Sequence, residues 1–412
     1  MLSTTLLPIA ADTLEGVGTT AAVSVVVVVA IGAVAGTISV LAGDRGILIP
    51  AVALELIAGV LVGPQVAGLE ITKPLAFMSS LGIGLLFFFA GYEIDFARLK
   101  GQPLKLAMLG WLLSLAIAYT VGGLLAWAGV VVSLLYTGSA LSTTAIGTLI
   151  PILSDSGELK TKLGTNLLAA GAIGEFGPIL LLSILLTTES RARQAITLTA
   201  FVAIAVLAAL LAVRSRHTTV PLLERSVEKS SQIAVRWFFL LVTALVLMAA
   251  YMGLDLLLGG FAAGIVARQM IGEREVKEFE TKLTAVAFGV FVPFFFVVSG
   301  MKLDVGSIFG STSGALKVPL FFVLFFVVRG TPALLLYRKA LDKSERIALA
   351  FYSSTQLPLV LAITMTAVAA GHMRKTTAAA LVVGALLSTL VFPVIGLRIR
   401  ARAANRPETA VA

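Results

Sequence analysis

The chain has 412 residues, of which 58% are hydrophobic and only 13% charged, and its formal net charge is +9. A mean hydropathy of +1.02 excludes a soluble globular domain, because repeated apolar runs of about 20 residues are typical of a polytopic helical membrane protein. Cysteine is absent, which excludes disulfides and cysteine-based metal sites. The basic residues gather at the ends of the apolar runs, which indicates topology control and not nucleic-acid binding.

The apolar runs predict an all-α polytopic fold with about thirteen transmembrane helices. The predicted spans are 21–42, 50–66, 74–93, 103–126, 128–152, 161–187, 194–214, 235–252, 254–270, 280–302, 314–337, 345–370 and 376–397. With the N-terminus outside, the cytoplasmic segments hold 23 Lys and Arg residues and the outer segments hold 7. This asymmetry favours a topology with the N-terminus outside and with 398–412 as a basic cytoplasmic tail.

Two pairs of short segments repeat along the chain. LLFFFAGYEIDF (85–96) resembles FFFVVSGMKLDV (294–305), and ALSTTAI (140–146) resembles YSSTQLP (352–358), at offsets of 209 and 212 residues. The copies start seven spans apart, and this odd number inverts the second copy in the membrane. Inverted repeats are typical of secondary transporters, whose binding site lies near the bilayer midplane between the repeats.

Glu175 is the only charged residue between Leu163 and Leu186. It lies 13 positions after Lys162 and 14 before Glu189, which is about 20 Å of helix on either side. A charge at that depth costs about 2.5–3.5 kcal/mol, and intramembrane carboxylates are functional by default. We therefore predict that Glu175 exchanges a proton for a metal ion. A permanently protonated or structurally paired carboxyl is the alternative.

Arg329 is also deep, 12 residues after Lys317 and 9 before Arg338. A guanidinium at that depth needs a partner, and Glu175 is the natural candidate. The pair is either purely structural, or Arg329 competes with the transported cation for Glu175.

Spans five and twelve carry the repeated hydroxyl clusters. Ser and Thr near Gly or Pro let a membrane helix unwind and offer hydroxyls and carbonyls to a cation. Hydrogen bonds back to the preceding turn are the alternative role for each hydroxyl. The first cluster, predicted to bind the cation with Glu175, is Ser142, Thr143 and Thr144. The second cluster, predicted to break the other crossing helix, is Ser354, Thr355, Gln356 and Pro358.

Other polar residues receive supporting roles. Asn166 precedes Glu175 by nine residues, so it is expected to gate or to pack. Glu55 in span two is expected to pair with a neighbouring helix or to line an entrance. No cofactor-binding or hydrolase motif appears in a suitable context, so we expect no cofactor beyond the transported ions. Solvated caps are expected at span ends for Asp95, Asp255 and Asp304.

Five segments carry a resemblance to a known family. They are ELIAGVLVGP (55–64), LLFFFAGYEIDF (85–96), ALSTTAIG (140–147), GEF (174–176) and FFFVVSGMKLD (294–304). In order and spacing they resemble the monovalent cation:proton antiporter superfamily, and most of all its Kef/Nap-type branch of sodium/hydrogen exchangers.

The resemblance implies two domains and a mode of transport. An ion-carrying core would comprise about 74–187 and 280–397, and a dimerisation domain would comprise about 21–66 and 194–270. Spans five and twelve would be broken helices that cross in the core. Transport would proceed by an elevator-like movement in a homodimer.

The family's ion-binding aspartate falls on Glu175, and its basic residue falls on Arg329. Many members carry Asp-Asp, Asn-Asp or Gln-Asp where this chain has Gly174-Glu175, so the preceding polar partner is missing. A single titratable carboxylate, with Arg where electrogenic members often have Lys, implies electroneutral exchange of one proton per Na⁺ or K⁺. The chain ends at Ala412 with no nucleotide-binding regulatory domain, so nucleotide gating is not expected.

We therefore expect a plasma-membrane antiporter and not an enzyme. The alternatives are an organic-ion transporter on the same scaffold, and a channel or membrane-embedded enzyme. Thirteen spans and the presence of Glu175 with Arg329 argue against an organic-ion transporter. The sequence shows no clustered nucleophile or metal set of the kind an enzyme would need.

Overall fold

The structure, a computed structural model, consists of helices joined by turns and loops, and the part of the chain that it describes contains no strand. Asp95, Asp255 and the end of the predicted tail, 405–412, lie outside the described residues. The described residues are 18–45, 47, 49–93, 99–185, 191–227, 232–254, 256–270, 276–310 and 312–404.

The α-helices, numbered in chain order, are α1 Thr19–Gly43, α2 Ala51–Val62, α3 Lys73–Tyr92, α4 Gln102–Trp127, α5 Leu134–Leu141, α6 Ile146–Asp155, α7 Lys162–Leu185, α8 Arg191–Val227, α9 Ile233–Tyr251, α10 Leu256–Met270, α11 Val276–Val286, α12 Val292–Lys302, α13 Gly306–Phe309, α14 Thr312–Leu336, α15 Lys343–Ser353, α16 Pro358–Ala369 and α17 Lys375–Ala404. A π-helical turn, Ala287–Phe291, joins α11 to α12. Short 3₁₀ turns, Glu158–Lys160 and Tyr337–Lys339, precede α7 and follow α14.

Apart from the four-residue α13, these helices group into the thirteen predicted spans, because α5 with α6, α11 with α12 and α15 with α16 each form one span. Among the described residues, eight helical segments are long and apolar enough to cross a membrane, and four further helices are shorter and apolar. The predicted fold class is confirmed. The largest difference in bounds is α8, which continues to Val227 where the prediction ended at 214. Hydropathy marks the apolar stretch, and the helical backbone continues past it.

The described chain forms two compact units, 1–86 with 277–303 and 87–276 with 304–412. In the first unit, α2 and α12 pack with their backbones in contact. A Cβ on Gly59 would lie 2.1 Å from the Val297 carbonyl oxygen, and a Cβ on Gly300 would lie 2.2 Å from the Leu56 carbonyl oxygen. Only glycine permits this approach, as in other small-residue helix contacts in membranes. The assignment of a core and a dimerisation domain stays a prediction.

In the second unit, a buried cluster joins the two broken spans to their neighbours. Large apolar side chains from α6, α7, the end of α14 and α15 pack together. This packing fixes α7, which carries Glu175, and α14, which carries Arg329, beside the helix breaks. The cluster includes Ile146, Leu149, Leu153, Leu163, Leu167, Ala333, Tyr337, Leu349 and Tyr352.

Both broken spans unwind at the predicted hydroxyl clusters, 142–145 between α5 and α6 and 354–357 between α15 and α16. Pro358 occupies the first turn of α16, where it lacks an N–H, and its ring disfavours a helical conformation at Leu357. Leu357 accordingly has φ −165° and ψ −63°. The breaks lie seven spans apart, so the two broken helices run in opposite directions.

Candidate functional site

The two helix breaks bond directly to each other. The Ala145 N–H donates to the Thr355 carbonyl at 2.8 Å, and the Thr144 hydroxyl donates to the Ser353 carbonyl at 2.7 Å. Gln356 completes the contact, because its Nε2 donates to the carbonyl of residue 143 and its Oε1 accepts from the hydroxyl of that threonine. Backbone groups that leave the helical pattern at one break are thereby satisfied by the other break.

The remaining hydroxyls of the clusters bond within their own helices. Ser142 donates to the carbonyl of residue 139 at 2.9 Å, and Ser354 donates to the carbonyl of residue 350 at 2.6 Å. The Thr355 hydroxyl lies 3.4 Å from the carbonyl of residue 351. These bonds satisfy carbonyls in the last turns of α5 and α15. Both expected roles of the hydroxyls therefore occur. The Thr144 hydroxyl bonds to the second break, whereas the Ser142 and Ser354 hydroxyls bond back to their own helices.

Helix α17 supports the second break through two residues that the sequence analysis missed. Ser388 accepts the Gln356 N–H at 3.0 Å, and the Thr389 hydroxyl donates to the Gln356 carbonyl at 2.7 Å. A signal was present, because Leu-Ser-Thr at 387–389 repeats Leu-Ser-Thr at 141–143.

Glu175 lies beside the first break. Its side chain is 4% exposed, and its Oε2 has no hydrogen-bond partner among the described residues. The Thr144 N–H donates to the carbonyl of Gly174 at 3.2 Å, so the residue before Glu175 is bonded to the break. The backbone amide of Ile146, the first residue of α6, interacts with the Glu175 carboxylate. A helix N-terminus is a favourable position for a negative charge.

Glu93 is a second acid acting on this site, and the sequence analysis gave it no role. It follows α3, and its carboxyl group interacts electrostatically with Glu175. Glu93 lies inside the first repeated segment, where the second copy has Lys302 at the aligned position. The opposite charges at these aligned positions are the sequence signal that could have identified Glu93.

Arg329 is buried at 4% exposure, but it does not pair with Glu175. Its Nε donates to the Thr144 hydroxyl at 2.9 Å, its Nη1 to the Ser114 hydroxyl at 3.2 Å, and its Nη2 to the Ala170 carbonyl at 3.1 Å. The predicted direct ion pair is therefore wrong for this conformation, in which Glu175 and Arg329, both described, form no salt bridge. The guanidinium is held by three neutral oxygens, one on α4, one in the break between α5 and α6, and one on α7. Arginine has five N–H donors and needs several acceptors when it is buried. Competition for the cation stays a prediction.

Gly174 explains how Arg329 reaches this position. A Cβ at residue 174 would lie 2.4 Å from Arg329 Nη2 and 2.8 Å from the Thr144 hydroxyl oxygen. The guanidinium occupies the space that any side chain at position 174 would fill. The polar side chain that is missing before Glu175 thus leaves a space, and the Arg329 guanidinium fills it.

The other two predicted residues are Asn166 and Glu55. Asn166 is nine residues before Glu175 on α7, about 13 Å along the helix axis. Glu55 lies in the first unit, is 4% exposed, and has an Oε2 without a hydrogen-bond partner among the described residues. Within the described residues no group of three or more His, Cys, Asp or Glu could hold a metal ion. A cation at Glu175 would therefore need neutral oxygens among its ligands.

Comparison with known proteins decides the family. Residues 26–399 match the family described as sodium/hydrogen exchanger, transmembrane. The chain belongs to the sodium/hydrogen exchanger family. This exchanger family consists of multi-pass membrane transporters, so the prediction that the chain is not an enzyme is confirmed.

Curated relatives of this exchanger are named as antiporters. YjbQ of Bacillus subtilis, named as a Na⁺/H⁺ antiporter, is 25% identical over 369 residues, which cover 84% of this chain and 58% of YjbQ. The chain thus spans less than two thirds of that relative's length. The Na⁺/H⁺-K⁺ antiporter GerN of Bacillus cereus is 27% identical over 274 residues, which cover 64% of this chain and 68% of GerN.

A solved structure has the same fold. The sodium proton antiporter MjNhaP1 from Methanocaldococcus jannaschii superposes with a TM-score of 0.62, covering 94% of this exchanger and 98% of MjNhaP1 at 14% sequence identity. At this identity the likeness is one of fold.

Proposed function

We propose that this exchanger moves a monovalent cation, Na⁺ or K⁺, in exchange for protons across the plasma membrane, with Glu175 as the shared site. Family membership supports cation/proton exchange. The observation that carries the assignment to Glu175 is its carboxylate, 4% exposed, with an unpartnered Oε2, beside the crossing of two unwound helices. Such a group has an unmet capacity to bind one further partner.

The proposed cycle follows from the cost of burying a charge. An empty, ionised Glu175 pays a large desolvation penalty in an apolar surrounding. A proton or a cation neutralises the carboxylate, and only the neutralised site crosses the apolar barrier. Exchange is then one proton per cation and electroneutral. The movement is elevator-like, in a homodimer with the N-terminus outside.

The cation would be held by Glu175 together with oxygens of the first break. The Thr144 hydroxyl already accepts from Arg329 and donates to the Ser353 carbonyl, so it has one lone pair left. Ser142 and Thr143 contribute through their backbone as well as their hydroxyl oxygens. For Arg329 to compete with the cation for Glu175, its guanidinium must first break its hydrogen bonds to three acceptors. Such competition therefore belongs to another conformation of the transport cycle.

Substituting Glu175→Gln tests the proposal, because the amide keeps the shape but does not titrate. We expect cation-driven proton movement in proteoliposomes, followed with a pH-sensitive dye and Na⁺, K⁺ or Li⁺, to be abolished. The matched control is Glu55→Gln, which alters a carboxylate buried to the same 4% and should retain exchange. Both variants should elute as monodisperse, folded protein. Full exchange by Glu175→Gln would refute the assignment.

A further inference from the structure

Gln356 joins three segments of the chain. It lies in the second break, where the backbone leaves the helical pattern, and it is fully buried. Its backbone groups therefore need partners from elsewhere in the fold. The backbone of Gln356 bonds to α17, and its side chain bonds to the first break.

The backbone of Gln356 is fixed by two hydroxyls of α17. Its N–H donates to Ser388 Oγ at 3.0 Å, and its carbonyl accepts from the Thr389 hydroxyl at 2.7 Å. The same two hydroxyls lie 2.7 Å and 3.1 Å from the Ala385 carbonyl on their own helix. Ser388 is 0% and Thr389 is 3% exposed, so these bonds form away from solvent. The peptide groups on both sides of the Gln356 Cα are thus tied to α17.

Helix α17 is itself held along α15, the helix that leads into the second break. A Cβ on Gly396 would lie 2.5 Å from Tyr352 Cε1, so the tyrosine ring packs against the bare backbone of α17. Nearer its end, α17 donates from Arg400 Nη1 to the Ser344 hydroxyl at 3.0 Å, at the start of α15. The second break is therefore attached to a helix whose position is fixed at other levels as well.

The side chain of Gln356 orients Thr143 in the first break. Its Nε2 donates to the Thr143 carbonyl, and its Oε1 accepts from the Thr143 hydroxyl. Exchanging the amide nitrogen and oxygen would set Oε1 against that carbonyl, so the bonding pattern fixes the orientation of the amide. The Thr143 hydroxyl also lies 3.0 Å from the Ala140 carbonyl. Its single proton is therefore directed at a protein acceptor, and its oxygen lone pairs remain for another ligand.

Thr143 is also linked to the neighbourhood of Glu175. The next residue, Thr144, donates its N–H to the Gly174 carbonyl at 3.2 Å, and Gly174 precedes Glu175. A continuous series of hydrogen bonds therefore runs from the α17 hydroxyls through Gln356 and the first break to α7.

We propose that Ser388 and Thr389 are positioning residues for cation exchange. Through Gln356 they orient the Thr143 oxygens towards the cation. This inference rests on the proposed function, in which Thr143 and Glu175 hold that cation. Partners that orient the ligands of a metal ion typically change its affinity 10–100-fold when they are removed. The reason is that ligand oxygens which are not held in place must be ordered when the ion binds.

The test is the apparent KM for the cation, measured with the full chain in proteoliposomes and a pH-sensitive dye. Na⁺ and K⁺ are titrated separately, and the ion that supports exchange in the wild type is used. Thr389→Val keeps the shape of the side chain but removes its hydroxyl, and it should raise the apparent KM about tenfold. The maximal rate per folded molecule should change much less. A purely structural role would instead lower the amount of folded protein, and with it the maximal rate, at an unchanged KM.

Two further variants examine the same pair of hydroxyls. Thr389→Ser restores the hydroxyl and should return the apparent KM to the wild-type value. Ser388→Ala leaves the Gln356 N–H without its acceptor, so the apparent KM should again rise. The matched control is Thr364→Val on α16, which alters a threonine of 1% exposure. Its hydroxyl bonds back to the Leu361 carbonyl at 3.0 Å, and this variant should keep the wild-type KM.

A double-mutant cycle tests whether the effect passes through Gln356. Gln356→Leu should raise the apparent KM, and adding Thr389→Val should raise it little further. If Gln356→Leu does not fold, the contrast between Thr389→Val and Thr389→Ser decides. An unchanged KM in Thr389→Val, or fully additive effects in the cycle, would overturn the proposal. Such a result with an inactive Glu175→Gln leaves the proposed function standing, whereas exchange by Glu175→Gln refutes that function.

Discussion

Substituting Gly174→Ala should destabilise this exchanger by displacing Arg329. The added Cβ would lie 2.4 Å from Arg329 Nη2 and 2.8 Å from the Thr144 hydroxyl, and both distances are shorter than van der Waals contact. The guanidinium is held by bonds of 3.1 Å to the Ala170 carbonyl and 2.9 Å to Thr144. The guanidinium cannot move away from the added Cβ without lengthening at least one of these hydrogen bonds.

The expected magnitude follows from those bonds. A hydrogen bond that involves a charged group contributes about 1.5–3 kcal/mol, so losing one or two costs about 2–5 kcal/mol. The melting temperature should fall by about 2–6 °C, because the entropy of unfolding grows with chain length. Exchange should fall as well, because Thr144 also holds the contact between the two helix breaks.

Thermal unfolding and proteoliposome exchange provide the assay. The matched control is Gly147→Ala in the first turn of α6, where a Cβ meets no atom within 4 Å and should change stability little. A double-mutant cycle with Arg329→Met isolates the clash. In that background, Gly174→Ala should cost less than in the wild type, because only the contact with the Thr144 hydroxyl oxygen at 2.8 Å remains. Equal costs with and without the guanidinium, or equal effects at both glycines, would refute the reasoning.

Two further substitutions test the crossing and a helix cap. Thr144→Val preserves shape but leaves the Arg329 Nε–H and the Ser353 carbonyl unpaired, so thermal unfolding should show a loss of about 2–4 kcal/mol. Asp342 caps α15 by accepting the Glu345 N–H at 2.8 Å. Partial burial acts to raise the Asp342 pKa, but hydrogen bonds from Glu345 and its neighbour outweigh it and lower that pKa below 3.8. A lowered folded-state pKa gives stabilisation that is complete above the unfolded pKa and is lost as pH falls through the folded pKa. Asp342→Ala should therefore cost about 1 kcal/mol at pH 7 and less near pH 3, as judged by thermal unfolding at each pH.

Each of these substitutions has a clear contrary result. Thr37→Val on α1 is the control for Thr144→Val, because the Thr37 hydroxyl is exposed and only bonds back to the Ala33 carbonyl at 2.8 Å. Equal losses of stability at Thr37 and Thr144 would show that the hydrogen bonds of Thr144 at the crossing stabilise the fold no more than a hydrogen bond within a single helix. A cost of Asp342→Ala that stays constant between pH 7 and pH 3 would contradict a role for the ionised carboxylate.

The sequence by itself determined where the chain crosses the membrane and where its helices break. Hydropathy located thirteen spans, since the bilayer demands apolar runs of a fixed length. The repeated clusters at 140–146 and 352–358 located the breaks, because hydroxyls and proline change the local backbone. Glu175 stood out for the same local reason, as one charge within an apolar helix.

The tertiary structure alone decided which polar groups meet. Ser142 and Thr144 look equivalent in sequence, yet one bonds to its own helix and the other reaches Arg329 and the second break. Its depth in the membrane indicated that Arg329 needs partners, but Glu175, the expected partner, was the wrong choice. Three neutral oxygens hold the Arg329 guanidinium, and Gly174 leaves space for it. Hydropathy and repeats are local properties, whereas a side chain's partner depends on packing between segments far apart in the chain.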